Sequence, residues 1–282
     1  MITFALTLIT EEGETMKSKL WVGMAAIFVI TACKQQTNKE SIFNEFQLDS
    51  KFLSENRSVG VYLPAGYSEK NEYPVIYAED GMALVSGNYK HLLDSLINNG
   101  YIKPVVVACS YENNNQIPGL NLSYRDVEYN EILSRNNDTL RPIFDNHIHY
   151  FINEFIPTIE DNYSVSKSRD DRIYFGTSNS ANFGISLSMS YPELMANYWC
   201  FSPVASNCDG YGMLEQKIEY NICWGLKEEF SSEEEVFQPL VLSIRKRGGK
   251  VYDWTFSGAN ERECWRDEFV KMLVLRFGIE QE

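Results

Sequence analysis

From residue 43 onward, hydrophobic and polar positions fall into two alternating patterns. Short apolar runs rich in β-branched and aromatic residues, closed by Gly, Pro, Asn or Asp, predict strands. These are 43–49, an edge strand; 58–64, stopped by Pro64 and the Ala65-Gly66 turn; 73–78, ending at Glu79-Asp80-Gly81; and 104–109, 172–175, 196–204, 219–226 and 251–256. The run Pro104 to Cys109 is continuously apolar, the pattern of a strand buried on both faces. Between the strands, apolar residues recur at helical spacing. Helices are predicted over 89–97, with Leu92, Leu93, Leu96 and Ile97 on one face, and over 141–163, with Ile148, Phe151, Ile152, Phe155, Ile156 and Ile159 in register and a kink at Pro157. Further helices are predicted from Ser180 through Ile185, Leu187 and Met189, over 239–247 up to Gly248-Gly249, and over 265–277. The segment 110–140 is polar and predicts a long functional loop. Strands alternating with helices predict an α/β fold, a mostly parallel central sheet with helices on both faces.

Upstream of residue 43 the pattern changes. Met16-Lys17-Ser18-Lys19 is a short basic stretch, and residues 20–30 are apolar but too few to span a bilayer comfortably. The run closes on Ile30-Thr31-Ala32-Cys33. This resembles a bacterial lipoprotein signal, which implies that Met16 is the start, that residues 1–15 have no structural role and that Cys33 is lipidated. The alternative is a plain N-terminal membrane anchor. On the lipoprotein reading the protein sits at the bacterial cell envelope, periplasmic or surface-facing, with a lipid as its only membrane contact. Residues 34–42 read as a polar tether and 43–282 as one domain.

The charge of −14 argues against a nucleic-acid partner, and 44% apolar with 13% aromatic residues is ample for a large core. Five cysteines follow Cys33: Cys109, Cys200, Cys208, Cys223 and Cys264. They show no Cys-x-x-Cys or Cys/His ligand spacing, so no metal and no cofactor are expected. A Cys200–Cys208 disulfide is left open.

The chemistry concentrates in Asp170-Asp171-Arg172-Ile173-Tyr174-Phe175-Gly176-Thr177-Ser178-Asn179-Ser180. A predicted strand turns into a predicted helix with Ser178 at the apex and small residues on both sides, the layout of a nucleophile elbow. The usual pentapeptide is G-x-S-x-G, and Ser180 stands at its last position. The alternative is a Ser-rich turn with no catalytic role.

Several segments together resemble the α/β-hydrolase esterase family that contains enterochelin esterases, feruloyl esterases and S-formylglutathione hydrolases. These are residues 48–67 (Leu-Asp-Ser-Lys-Phe-Leu-Ser-Glu-Asn-Arg-Ser-Val-Gly-Val-Tyr-Leu-Pro-Ala-Gly-Tyr), 73–81, Arg125-Asp126-Val127-Glu128-Tyr129, and 155–178 with the helix before the elbow. The similarity runs from about residue 48 to 277. It implies an α/β-hydrolase fold with Ser178 as nucleophile. It also implies an oxyanion hole from the backbone N–H of Asn179 and that of Gly81 or Met82. Trp224-Gly225-Leu226-Lys227-Glu228-Glu229 resembles the family's acid segment, making Glu228 the acid, unless Glu228 is only a solvated charge. The family's base lies in Gly-x-His-x-x-x-x-Trp. This chain has Gly258-Ala259-Asn260-Glu261-Arg262-Glu263-Cys264-Trp265, with Asn260 at the His position. An amide cannot accept the serine proton near neutral pH. His91, His147 and His149 all fall on predicted helices, where each reads as a surface or satisfied residue. Two functions are therefore carried forward: a serine esterase acting on a small-molecule or siderophore-like ester or an acylated saccharide, and a catalytically impaired pseudo-hydrolase that binds.

Overall fold

The computed structural model describes residues 40–204, 208–228, 233–259 and 261–280. Cys33, most of the tether and Asn260 lie outside these residues. The described chain opens with an antiparallel hairpin, β1 (Ile42–Ser50) and β2 (Glu55–Leu63), paired from Ile42↔Leu63 to Ser50↔Glu55. There follow β3 (Val75–Ala78), α1 (Gly81–Ser86), α2 (Tyr89–Asn98) and β4 (Val106–Ser110). Next come α3 (Tyr124–Tyr129), α4 (Glu131–Ser134), α5 (Arg141–Tyr150), α6 (Ile156–Asn162), β5 (Arg172–Thr177) and α7 (Asn179–Ser190). The last elements are β6 (Asn197–Phe201), β7 (Glu219–Gly225), α8 (Gln238–Lys246), β8 (Lys250–Phe256) and α9 (Arg262–Phe277). The sheet order is β1-β2-β4-β3-β5-β6-β7-β8, with β2 antiparallel to β4 and every pair from β4 to β8 parallel. This is the expected mostly parallel sheet.

Alternation along the strands divides the core in two, because successive side chains point to opposite faces. Val75, Tyr77 and Tyr174 pack with Phe151, Phe155, Phe183 and Ile244, from the α5, α7 and α8 side. Ile76, Ala78, Ile173 and Phe175 pack with Leu93, Trp199, Phe269 and Leu273, from the α2 and α9 side. Helix α7 is buried from Ser180 to Met189, which explains its small residues: they let it lie close on β5 and β6. At Gly184, for example, a Cβ would stand 2.3 Å from the Tyr174 ring.

Two expectations are corrected. The segment 110–140 holds α3, α4 and a small core of Ile117, Val127 and Leu140 instead of a featureless loop. The signal was a capping box: Ser123 Oγ accepts from the Asp126 N–H (3.2 Å) and Asp126 Oδ2 accepts from the Ser123 N–H (2.8 Å). The helix predicted over 141–163 is divided. Its backbone widens to i→i+5 bonding over Phe151–Phe155 before Pro157, which has no N–H to donate and sits in the first turn of α6. The disulfide left open at Cys200 and Cys208 is not formed: both are free, buried thiols.

Candidate active site

The parallel strands β3, β5, β6 and β7 end side by side, and each delivers one part of the site at its carboxyl end, where open α/β sheets place their ligands. After β5, Ser178 takes φ 54° and ψ −121°, a strained conformation for a residue with a Cβ. Its N–H is tied to the Phe201 carbonyl at 2.9 Å, so the turn is fixed against the end of β6. Gly176 is needed because a Cβ there would stand 2.5 Å from the Ser180 carbonyl oxygen. Ser180 replaces the usual second glycine with an internal clasp. Its Oγ accepts from the Thr177 N–H and donates to the Thr177 carbonyl, both at 2.8 Å. Ser178 itself is half-buried, and among the described residues its hydroxyl makes no protein hydrogen bond.

Asn179 opens α7, with its side chain 3.4 Å from Asp126 Oδ1. Beyond β3, Asp80 adopts φ 59°, ψ 48° and turns the chain so that Gly81 and Met82 begin α1. A bidentate pair holds that turn: Arg125 Nε and Nη2 donate to the two Asp80 carboxylate oxygens at 2.6 and 2.8 Å. The Tyr111 ring lies directly on Gly81, where a Cβ would come within 2.1 Å of it. The next residue, Glu112, reaches the Met82 N–H through Oε2 at 3.3 Å. Of the two residues expected as alternatives for the second oxyanion donor, Met82 therefore already faces a carboxylate, whose pKa burial raises.

Glu228 lies past the end of β7. Its Oε1 accepts from the Gly225 N–H (2.6 Å) and the Ser202 hydroxyl (2.5 Å), and Ser202 in turn accepts from Trp265 Nε1 (2.8 Å). Ser202 follows Phe201, whose carbonyl holds the Ser178 N–H, so the elbow and the acid are one residue apart along the end of β6. Glu228 is thus a half-buried group anchored by Gly225 and Ser202 and not a freely solvated charge.

Beneath the Asp80 turn lies a buried network that sequence reasoning missed. Glu79 accepts from the Tyr129 hydroxyl at 2.9 Å and meets His147 Nε2 at 3.1 Å. Arg57 forks onto Glu128 at 2.8 and 3.2 Å. Burial pushes Glu79 up to about 8 and His147 down to about 4, so both are neutral near pH 7. His147 is fully buried, and its Nδ1 has no hydrogen-bond partner, which corrects its reading as a surface or satisfied helix residue. The signal was Glu79-Asp80 standing immediately after an apolar strand. His91 is exposed, and His149 is half-buried beside Phe52.

Among the described residues no group of three or more His, Cys, Asp and Glu is placed to hold a metal ion, and no helix is long and apolar enough to cross a membrane.

Known proteins share this arrangement of strands. A ferulic acid esterase structure superposes with a TM-score of 0.65 at 16% identity, over 84% of this chain and 98% of the other. An enterochelin esterase from Shigella flexneri superposes with a TM-score of 0.63 at 15% identity, over 82% of this chain and 57% of its own. At such identities the likeness is one of fold. In sequence, an endo-1,4-beta-xylanase/feruloyl esterase of Xylanibacter ruminicola is 26% identical over 162 residues, which are 53% of this chain but only 20% of that protein. The family model described as "Putative esterase" matches residues 50–253, most of the chain, and the protein belongs to that esterase family, with an α/β-hydrolase fold.

Proposed function

We propose that the protein binds a small-molecule carboxylic ester and cleaves it slowly, with Ser178 as nucleophile. The observation that carries this is the strained elbow at Ser178, φ 54° and ψ −121°, tied by its N–H to the strand end that leads to Ser202 and Glu228. Such strain persists where the surrounding structure holds it for a purpose. In this reading the Ser178 oxygen attacks the ester carbonyl carbon. The developing oxyanion takes N–H groups from Asn179 and from Gly81 or Met82. The alcohol then leaves, and water releases the acyl group. Glu228 is the acid of the family arrangement. Asn260, at the family's His position, cannot take the serine proton, so that proton passes to water and turnover is slow. A site lacking one triad member retains roughly 10³–10⁴-fold catalysis over water. The ferulic acid and enterochelin esterases among its relatives support a small aromatic or siderophore-like ester as the ligand. No cofactor enters this chemistry. Lipidation at Cys33, and with it an envelope location, belongs to the same proposal.

The second reading is a binding protein without turnover. Glu112 against the Met82 N–H favours it, because a carboxylate there competes with an oxyanion. Hydrolysis of nitrophenyl acetate separates the two. The wild type should act weakly, Ser178→Ala should abolish that activity, and Asn260→His should raise it in a Ser178-dependent way. No gain from Asn260→His, with the fold intact, favours the binding protein. Fast wild-type turnover lost in Ser178→Ala means that another group is the base.

A further inference from the structure

A second cleft lies on the other half of the sheet, on the α9 face. Strand register places three rows of side chains across β6, β7 and β8: Asn197, Glu219 and Lys250; Trp199, Asn221 and Tyr252; Phe201, Cys223 and Trp254. Helix α9 packs Phe269 on Trp199 and Phe175 and takes the Trp254 Nε1–H on Glu268, but leaves Lys250 and Tyr252, at the amino end of the last strand, exposed. Tyr252 is 46% exposed and Leu275, on the facing helix, 78%. Between them is a cavity of about 360 Å³, lined by Trp199, Asn221, Tyr252, Trp254, Leu275 and Arg276 among others. That volume lies within the roughly 300–1,000 Å³ of small-molecule sites. Its floor carries an unexplained group: Asn221 is 6% exposed, and its amide Nδ2 has no hydrogen-bond partner. A buried donor left unpaired costs free energy unless something supplies an acceptor. The cavity continues, through Asn197, Glu219 and Arg276, into a polar hollow of about 520 Å³ that includes Lys217 and Lys250. There Lys250 pairs with Glu219 at 3.2 Å and stands 4.4 Å over the Tyr252 ring.

We infer that this cleft is an oligosaccharide-binding site, separate from the candidate active site. A sugar ring has an apolar C–H face and a rim of hydroxyls that both donate and accept. Tyr252 and Trp254 offer aromatic surface to the first, while Asn221, Glu219 and Arg276 offer donors and acceptors to the second. Nucleic acid is disfavoured by the net charge of −14. The cleft opens beside the amino ends of β6 to β8, whereas Ser178 follows the carboxyl end of β5. The polar end of the cleft, at Asn197, Glu219 and Lys250, is separated from Ser178 by about the length of β7, on the order of 20 Å at ~3.3 Å per residue, while Trp254 closes the end nearer to it. A saccharide held here would raise the local concentration of any ester it carries.

The test uses full-length protein titrated with xylohexaose and cellohexaose, followed by calorimetry and by the fluorescence of Trp199 and Trp254. Saturable binding of at least one of them is expected. Tyr252→Ala and Asn221→Leu should each weaken it about tenfold or more, the loss typical of removing an anchor. Ser178→Ala should bind as the wild type does, and Tyr252→Ala should leave nitrophenyl acetate hydrolysis unchanged, so this outcome is independent of catalysis. Because Tyr252 is exposed, its variant keeps the fold even if Asn221→Leu does not. No saturable binding at millimolar sugar overturns the inference, as does binding indifferent to Tyr252→Ala. Self-association of the wild type that Tyr252→Ala dissolves assigns the cleft to a second copy of the chain and overturns it too.

Discussion

At the scale of single residues, the buried Glu79–His147 pair makes a signed prediction. Burial raises Glu79 from 4.5 to about 8 and lowers His147 from 6.5 to about 4. Above 4.5 the unfolded chain gives up the Glu79 proton while the fold keeps it, so this group costs stability as pH rises towards 8. Below 6.5 the unfolded chain protonates His147 while the fold refuses, so that group costs stability as pH falls towards 4. The two cancel between about 4.5 and 6.5, and above 6.5 only the Glu79 slope remains. One proton is worth about 1.4 kcal/mol per pH unit. Urea unfolding from pH 6.5 to 8 should therefore show a decline in the wild type that Glu79→Gln relieves by up to about 2 kcal/mol. Parallel slopes for the two proteins would mean that Glu79 is ionised in the fold. A second residue prediction concerns Glu112. If its carboxylate competes for the Met82 N–H, Glu112→Ala should raise residual ester hydrolysis about 2- to 10-fold, the worth of one ordinary hydrogen bond. A fall in rate would instead make Glu112 a participant. Ser178 was legible in the sequence because an elbow needs small residues at fixed offsets. The Glu79–His147 contact was not, because its partners come from a strand end and a helix far apart in the chain, and the acidic pair after the apolar strand marks only one of them.

At the scale of elements, α3 links the two sides of the candidate site. Arg125 holds the Asp80 turn before Gly81, and Asp126 faces the Asn179 side chain while capping its own helix. Helix α4 has a comparable role: Glu131 accepts from Arg135, Arg141, Ser186 and Tyr211 and so ties α5 and α7 to the loop after β6. The fork of Arg125 is a geometric device that lysine cannot reproduce. Arg125→Lys should keep most of the stability, because a charge still faces Asp80, yet lower residual hydrolysis about tenfold by loosening one oxyanion donor. Equal losses of melting temperature and rate would make the pair merely structural. The strands and long helices were legible from their periodicity, with boundaries shifted by a few residues. Helices α1, α3 and α4 were not, because six-residue and four-residue helices contain too few turns for a period to register. Only the Ser123-x-x-Asp126 cap announced one of them.

At the scale of the molecule, the order of the strands gathers chemistry from distant parts of the chain onto one edge of the sheet, while the opposite half of the last strands holds the aromatic cleft. The sheet starts at Ile42, nine residues after Cys33. The residues between them are Lys-Gln-Gln-Thr-Asn-Lys-Glu-Ser, a composition with no apolar face to bury. A lipid at Cys33 would therefore serve the domain as an anchor on a polar tether. One acyl chain gives marginal membrane binding, whereas two or more anchor stably, so loss of the modified residue should be decisive. Cys33→Ser should move the protein from the membrane fraction to the soluble fraction, and the wild type alone should incorporate labelled fatty acid. Nitrophenyl acetate hydrolysis by the released protein should match that of the wild type in detergent, because no residue of the candidate site lies upstream of Ile42. Unchanged fractionation of Cys33→Ser, with no lipid on the wild type, would favour retention by the apolar segment 20–30 as a plain anchor.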